Sequence, residues 1–187
     1  MRLPRERFEA LYEADPDPWG FESEPYEREK YARTMQALGD RTYPCGFEAG
    51  CSIGVLTSAL ATRCDELLAV DIAQRAVDAA RKRLADAPHV RIERSELPED
   101  WPAGPFDLVV CSEVLYYLAP ETLRAALPAM RASVAPGGRM IAVHFRPPSS
   151  VDPMTGDDVH AMLRAELGLA HVEGTAEDRY LLDVFGA

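Results

Sequence analysis

The chain has 187 residues, 47% of them hydrophobic, which is enough for one α/β domain with a packed core and too apolar for a disordered segment. Thirty-one Asp and Glu against 20 Lys and Arg give a formal net charge of −11. That balance argues against nucleic acid and anionic membrane as partners, since both need a basic face, and it suits a neutral or cationic small molecule.

The opening stretch MRLPRERFEALYEADPD lacks the apolar core of a leader, and no later run is long enough to span a membrane. Cys45, Cys51, Cys64 and Cys111 show no CxxC spacing. His89, His144, His160 and His171 are scattered, so no metal ligand set is expected. The thiols read as reduced core residues of a cytoplasmic protein, taken here as a monomer or homodimer.

In chain order, Arg5 to Glu13 carries Phe8, Leu11 and Tyr12 at helical spacing. Asp15-Pro16-Asp17-Pro18-Trp19-Gly20 breaks that helix, and Tyr26 to Leu38 resumes it with Tyr31, Met35 and Leu38 on one face. Residues 1–40 are therefore a helical cap on a core running over 45–187, the whole forming a single domain. Strand and helix then alternate. Gly46 to Glu48 ends a strand, and Val55 to Arg63 is its helix. Glu66 to Asp71 is a buried strand, Gln74 to Leu84 an amphipathic helix, and Val90 to Arg94 a short strand. Phe106 to Cys111 reads as a strand buried on both faces. Pro120 to Val134 is a helix disturbed at Pro128; Pro136-Gly137-Gly138 is a turn and Arg139 to His144 a strand. Gly156 to Leu167 is a helix, and His171 to Thr175 with Arg179 to Phe185 predicts an antiparallel pair. The sum is an α/β fold with a doubly wound, seven-stranded, mostly parallel sheet, whose first and fourth strands lie side by side.

The chemistry concentrates in Glu48-Ala49-Gly50-Cys51-Ser52-Ile53-Gly54, followed about twenty residues later by Asp71. A tight small-residue turn lets backbone approach a ligand, and a carboxylate at the next strand end can accept from two ribose hydroxyls. A dinucleotide fingerprint would be G-x-G-x-x-G; here Ser52 stands where a middle glycine belongs. Glu48 would repel a pyrophosphate but suits a sulfonium and an ammonium. The pattern thus points to S-adenosylmethionine. Ile72 beside Asp71 is placed to pack on adenine. Ser95, Glu96 and Leu97 follow the third strand, with Glu96 the candidate acceptor for the adenine amine. Ser112 and Glu113 follow the fourth.

The segments FEAGCSIGVLTSAL, LLAVDIA, FDLVVCSEVLYYL and APGGRMI together resemble the class I S-adenosylmethionine-dependent methyltransferases, over about Phe47 to His144. With DPDPWGFESEPYEREKYARTMQAL and SEVLYYL, the chain is similar to the nodulation protein S type. That resemblance implies a Rossmann-like core and methyl transfer to a small acceptor; the family's known activity is N-methylation of an amino sugar in a deacetylated chitooligosaccharide. It implies that Gly50 and Gly54 allow close approach of the methionine moiety, Glu48 orders the turn and the ammonium, Asp71 holds the ribose, and Glu96 and Leu97 hold the adenine. Trp19 and Tyr26 resemble positions that close over cofactor or acceptor; Trp19 equally fits an anchor for the cap.

Methyl transfer is an in-line displacement in which the protein aligns the partners and excludes water. Candidates around the acceptor are Glu113, Tyr116, Tyr117 and His144, the last at the rim as a proton acceptor or as a structural residue. Two other readings stand beside this one. An NAD(P)-dependent reductase is disfavoured by the Gly-x-Ser-x-Gly spacing and by the lack of a Tyr-x-x-x-Lys pair. A non-catalytic binding subunit would keep the fold without the transfer.

Overall fold

In the computed structural model, which describes residues 3–149 and 151–187, the expected alternation is present. Met1 and Arg2, part of the stretch read as lacking a leader, and Ser150 lie outside the described residues. The strands are β1 (Tyr43–Ala49), β2 (Cys64–Asp71), β3 (Val90–Arg94), β4 (Phe106–Ser112), β5 (Val134–Phe145), β6 (Ala170–Ala176) and β7 (Tyr180–Gly186). They form one sheet in the order β3-β2-β1-β4-β5-β7-β6. β1 with β2, β2 with β3 and β4 with β5 run parallel; β7 is antiparallel to both β5 and β6. This is the mostly parallel seven-stranded α/β sheet with an antiparallel C-terminal pair that the sequence pattern predicts. Among the described residues, no helix is long and apolar enough to cross a membrane. The chain divides into two compact units, Pro4–Glu96 and Leu97–Ala187, the second also taking in Leu3.

The first unit holds α1 (Arg5–Ala14), α2 (Pro25–Ala37), α3 (Val55–Leu60) and α4 (Gln74–Arg83) with β1 to β3. α1 buries Phe8 and Tyr12, one turn apart. α2 starts at Pro25, where a missing N–H costs nothing. α3 is shorter than the sequence suggests, because Thr62 and Arg63 bond three residues back and turn the chain into β2. α4 buries Ala76, Val77 and Ala80, the stripe its periodicity predicts. With Cys51, Ala69, Leu84 and Ile92 these residues form one apolar cluster, each buried methylene contributing about 0.8 kcal/mol.

The second unit holds β4 to β7, α5 (Pro120–Ala132) and α6 (Gly156–Glu166). Phe106 and Leu108 to Ser112 are all buried, as a strand covered on both faces requires. α5 runs through Pro128 unbroken, contrary to the disturbance expected there. The Pro136-Gly137-Gly138 turn is absorbed into β5. Gly137, at φ +74°, lets the strand bulge while its N–H and the Gly138 carbonyl bond to Ala187 at 3.2 Å each. α6 opens with a capping box: Thr155 Oγ1 accepts from Asp158 N–H at 3.1 Å, and Asp158 Oδ2 accepts from Thr155 N–H at 3.0 Å.

Candidate cofactor and acceptor sites

β1 ends buried, and the turn after it is built from positive-φ residues: Gly50 at +76°, Ser52 at +49° and Gly54 at +82°. The N–H groups of Gly50 and Cys51 both donate to the Val70 carbonyl, at 2.9 and 2.8 Å, drawing the turn against the end of β2. Asp71 sits one residue further along β2. Its Oδ2 accepts from Ser52 N–H and its Oδ1 from Ala73 N–H, each at 2.9 Å. A carboxylate has more acceptor directions than these two bonds use. Burial pushes the Asp71 carboxyl up to about 6, against those backbone hydrogen bonds, which pull it down.

Glu48 is 1% exposed, and its Oε2 has no hydrogen-bond partner. Burial raises its carboxyl to about 7; the nearby Thr57 hydroxyl pulls downward and the Asp71 charge adds to the rise. Thr57 lies close enough to act electrostatically, yet its Oγ1 also lacks a hydrogen-bond partner by geometry. A buried carboxyl beside a glycine turn, with an acceptor atom unused, is built to meet a cation. Burial also drives the Cys51 thiol well above its ordinary range, with Asp71 and Glu48 adding to it, so that residue lines the turn as an inert side chain.

Residues of α1 reach both the turn and α4. Tyr12 Oη and Ser52 Oγ are 2.5 Å apart, so α1 rests directly on the turn. Glu9 Oε1 accepts from Gln74 N–H at 2.7 Å, and Arg75 pairs with Glu13 at 3.0 Å. Trp19 packs between Tyr12 and Phe21, at 5.6 Å from each ring. Tyr26 is half-buried, with the Lys30 ammonium 5.1 Å from its ring; Lys30 is itself buried and pairs with Glu27 at 2.8 Å. Ile72 and Ser95 are partly exposed beside Asp71, and the Ser95 N–H continues the ladder onto the Asp71 carbonyl at 3.0 Å. Glu96 Oε1 accepts from Arg5 at 3.2 Å and from Arg94 at 3.4 Å. The helical spacing of α1 marked Tyr12 as apolar, and nothing local to Arg5 or Glu96 announces their pairing across 91 positions.

Leu97 and Ser112 belong to the second unit, Leu97 partly exposed and Ser112 buried. There the segment after β4 is pinned at Glu113, a non-glycine residue at φ +56°. Its Oε2 accepts from Tyr116 Oη and from Phe145 N–H, both at 2.8 Å, and its own N–H donates to the Val143 carbonyl at 2.8 Å. A single 3-10 turn, Leu115–Tyr117, follows. The Tyr116 and Tyr117 rings meet edge to face at 4.6 Å. Burial, then Glu113, drives the Tyr116 phenol well above its ordinary range, so it stays protonated at neutral pH. His144 is not at the rim where the sequence reading set it. It is 0% exposed, its Nε2 accepts from Leu115 N–H at 3.2 Å, and its Nδ1 faces His160 Nε2 at 3.1 Å. A strand end looked open in the sequence; in the fold, α6 and β7 supply the partners that close it. The sequence reading passed over His160 and Asp183, whose positions are linked only by tertiary contact.

A family model, Nodulation protein S (NodS), matches residues 8–148. Nodulation protein S of Rhizobium tropici is 32% identical over 127 residues, 67% of this chain and 53% of that protein. The chain thus spans about half the length of the curated relatives it matches. Among solved structures, N-methyltransferase NodS from Bradyrhizobium japonicum WM9, in complex with S-adenosyl-l-homocysteine, is 27% identical. It covers 97% of each chain at a TM-score of 0.87. A Pseudomonas syringae protein described as a candidate methyltransferase is 40% identical over 87% of this chain and 99% of that one, at 0.77.

Proposed function

The chain belongs to the nodulation protein S family, and from that premise we propose that it is an S-adenosylmethionine-dependent methyltransferase acting on a small molecule, at an amine or hydroxyl of a sugar or secondary metabolite. The observation that carries this reading is the pairing of Glu48, buried with an unused Oε2, with Asp71, whose two oxygens are aimed by the Ser52 and Ala73 amides. These residues fit a ligand with a positive tail and a ribose. Glu48 would hold the ammonium, Asp71 the ribose hydroxyls, and the Gly50 to Gly54 turn the methionine backbone. Ile72 and Ser95 would flank the adenine. Glu96, its Oε1 held by Arg5 and Arg94, would accept from the adenine amine.

Bound there, the donor supplies an electrophilic methyl group on a sulfonium. The chain's own part is to orient both reactants and exclude water, which can account for much of the rate enhancement. Tyr12 fastens α1 to the turn, with Trp19 packed against the Tyr12 ring. We assign Glu113 and Tyr117 to the acceptor side. Glu113 holds the segment through Tyr116 and Phe145, and a carboxylate there can take a proton from a neutralising amine. His144 is fully buried and acts through the segment it anchors. A cytoplasmic setting is part of this reading, since the four cysteines carry no CxxC spacing.

Isothermal titration with S-adenosylhomocysteine tests the reading. We expect saturable binding by the wild type and a loss of about 100-fold or more in Asp71→Ala, with the circular dichroism spectrum kept, since two charge-assisted contacts are removed. Absence of uptake by the wild type, or equal affinity in the variant, overturns the assignment. Transfer of a labelled methyl group to amine- and hydroxyl-bearing sugars then decides the acceptor.

A further inference from the structure

Inside the second unit, His144, His160 and Asp183, all 0% exposed, form a hydrogen-bonded chain whose direction is set at both ends. At one end the Leu115 N–H can only donate, so His144 Nε2 carries the lone pair (3.2 Å). The His144 proton is then on Nδ1 and is donated to His160 Nε2 (3.1 Å). His160 in turn carries its proton on Nδ1 and donates it to Asp183 Oδ2 (2.7 Å). At the other end Asp183 can only accept while ionised. Burial by itself would push its carboxyl up. Hydrogen bonds from His160, from Arg164 (2.7 Å to Oδ2 and 2.8 Å to Oδ1) and from His171 (2.8 Å to Oδ1) outweigh that and hold it well below the usual carboxylate range.

No other proton arrangement satisfies every bond. A His160 imidazolium would donate from Nε2 to His144 Nδ1. A neutral His144 would then carry its proton on Nε2, facing the Leu115 N–H donor to donor. The chain therefore reaches from the β7 side of the sheet to the first residue of the turn that follows Glu113.

We propose that His160 and Asp183 are positioning residues: through His144 they fix the acceptor for the Leu115 N–H and so set the conformation of Glu113 to Tyr117. The consequence for catalysis rests on the assignment of that segment to the methyl acceptor; the tautomers and the loop order do not.

Long-range proton–nitrogen NMR on the full chain with labelled histidine reads the tautomers directly. Nδ1–H on both His144 and His160 at pH 7 is expected; Nε2–H on either, or an imidazolium, overturns the proposal. A variant pair supplies a second readout in amide hydrogen exchange. His160→Leu should accelerate exchange at Leu115 at least tenfold while Val109 and Val110 in β4 keep their wild-type rates. His160→Gln, whose carbonyl can accept from His144, should return Leu115 to within about threefold of wild type. Wild-type exchange at Leu115 in His160→Leu, or equal acceleration in both variants, overturns the proposal. Should His160→Leu fail to fold, the wild-type tautomers decide. Affinity for S-adenosylhomocysteine should stay within twofold in each folded variant. A wild type that binds none of it would overturn the methyltransferase reading and leave the tautomer result standing.

Discussion

Burial raises the carboxyls of both Glu48 and Asp71, and at Glu48 the effect on stability is testable. Glu48 has a folded-state pKa of about 7 against an ordinary 4.5, so the folded chain holds its proton more tightly than the unfolded chain. Stability attributable to this residue is therefore greatest below about pH 4.5. It falls as the pH rises to about 7 and is constant above. The full penalty is about 3 kcal/mol. Glu48→Gln should accordingly melt several degrees higher than wild type at pH 8 and within a degree or two at pH 4.5, in thermal denaturation without ligand. A bound cation would pull the carboxyl back toward ionisation. Binding of S-adenosylhomocysteine at pH 6.5 should then release a proton, seen as a dependence of the calorimetric enthalpy on buffer, and Glu48→Gln should abolish it. Asp183 works in the opposite sense: its lowered pKa contributes stability above the ordinary Asp range that is lost as the pH falls below it. The carboxylates of the turn were legible in the sequence because strand-end spacing announces them. The pairing of Glu96 with Arg5 was not, because no local pattern encodes a partner 91 positions away.

At the scale of elements, the turn between β1 and α3 depends on one position. A Cβ at Gly54 would lie 3.0 Å from both Ala80 Cβ and Leu84 Cδ1, at a φ of +82°. Gly54→Ala should cost about 2 kcal/mol from strain and crowding together, lowering Tm by roughly 4–8 °C. It should also weaken S-adenosylhomocysteine binding, since relief of the clash must move the turn. α1 bears on the same turn through Tyr12. Tyr12→Phe should weaken that binding about threefold to tenfold in titration calorimetry and lower Tm by roughly 1–6 °C, since one net hydrogen bond is lost from the folded chain. Element positions were largely readable: α4 and β3 follow periodicity to within a residue. The ends of α3 and β5 were not, because a bonded turn at Thr62 and Arg63 and pairing with Ala187 set them.

For the molecule as a whole, the excess of acidic residues bears on partners and not on fold. Duplex DNA at 0.15 M salt should not be retained in a filter-binding assay; retention with a steep salt dependence would contradict the reading from charge. The sequence by itself determined the strand–helix alternation, the antiparallel end, the glycine turn and its two carboxylates, because period, turn residues and motif spacing are properties of neighbouring positions. Tertiary structure alone decided that His144 lies buried between Leu115 and His160, that Glu113 clamps its segment to Phe145, and that Asp183 gathers two histidines and an arginine. Those contacts join residues tens of positions apart. Which donor meets which acceptor is fixed there by the packing of strands and helices around them, a quantity that local sequence does not carry.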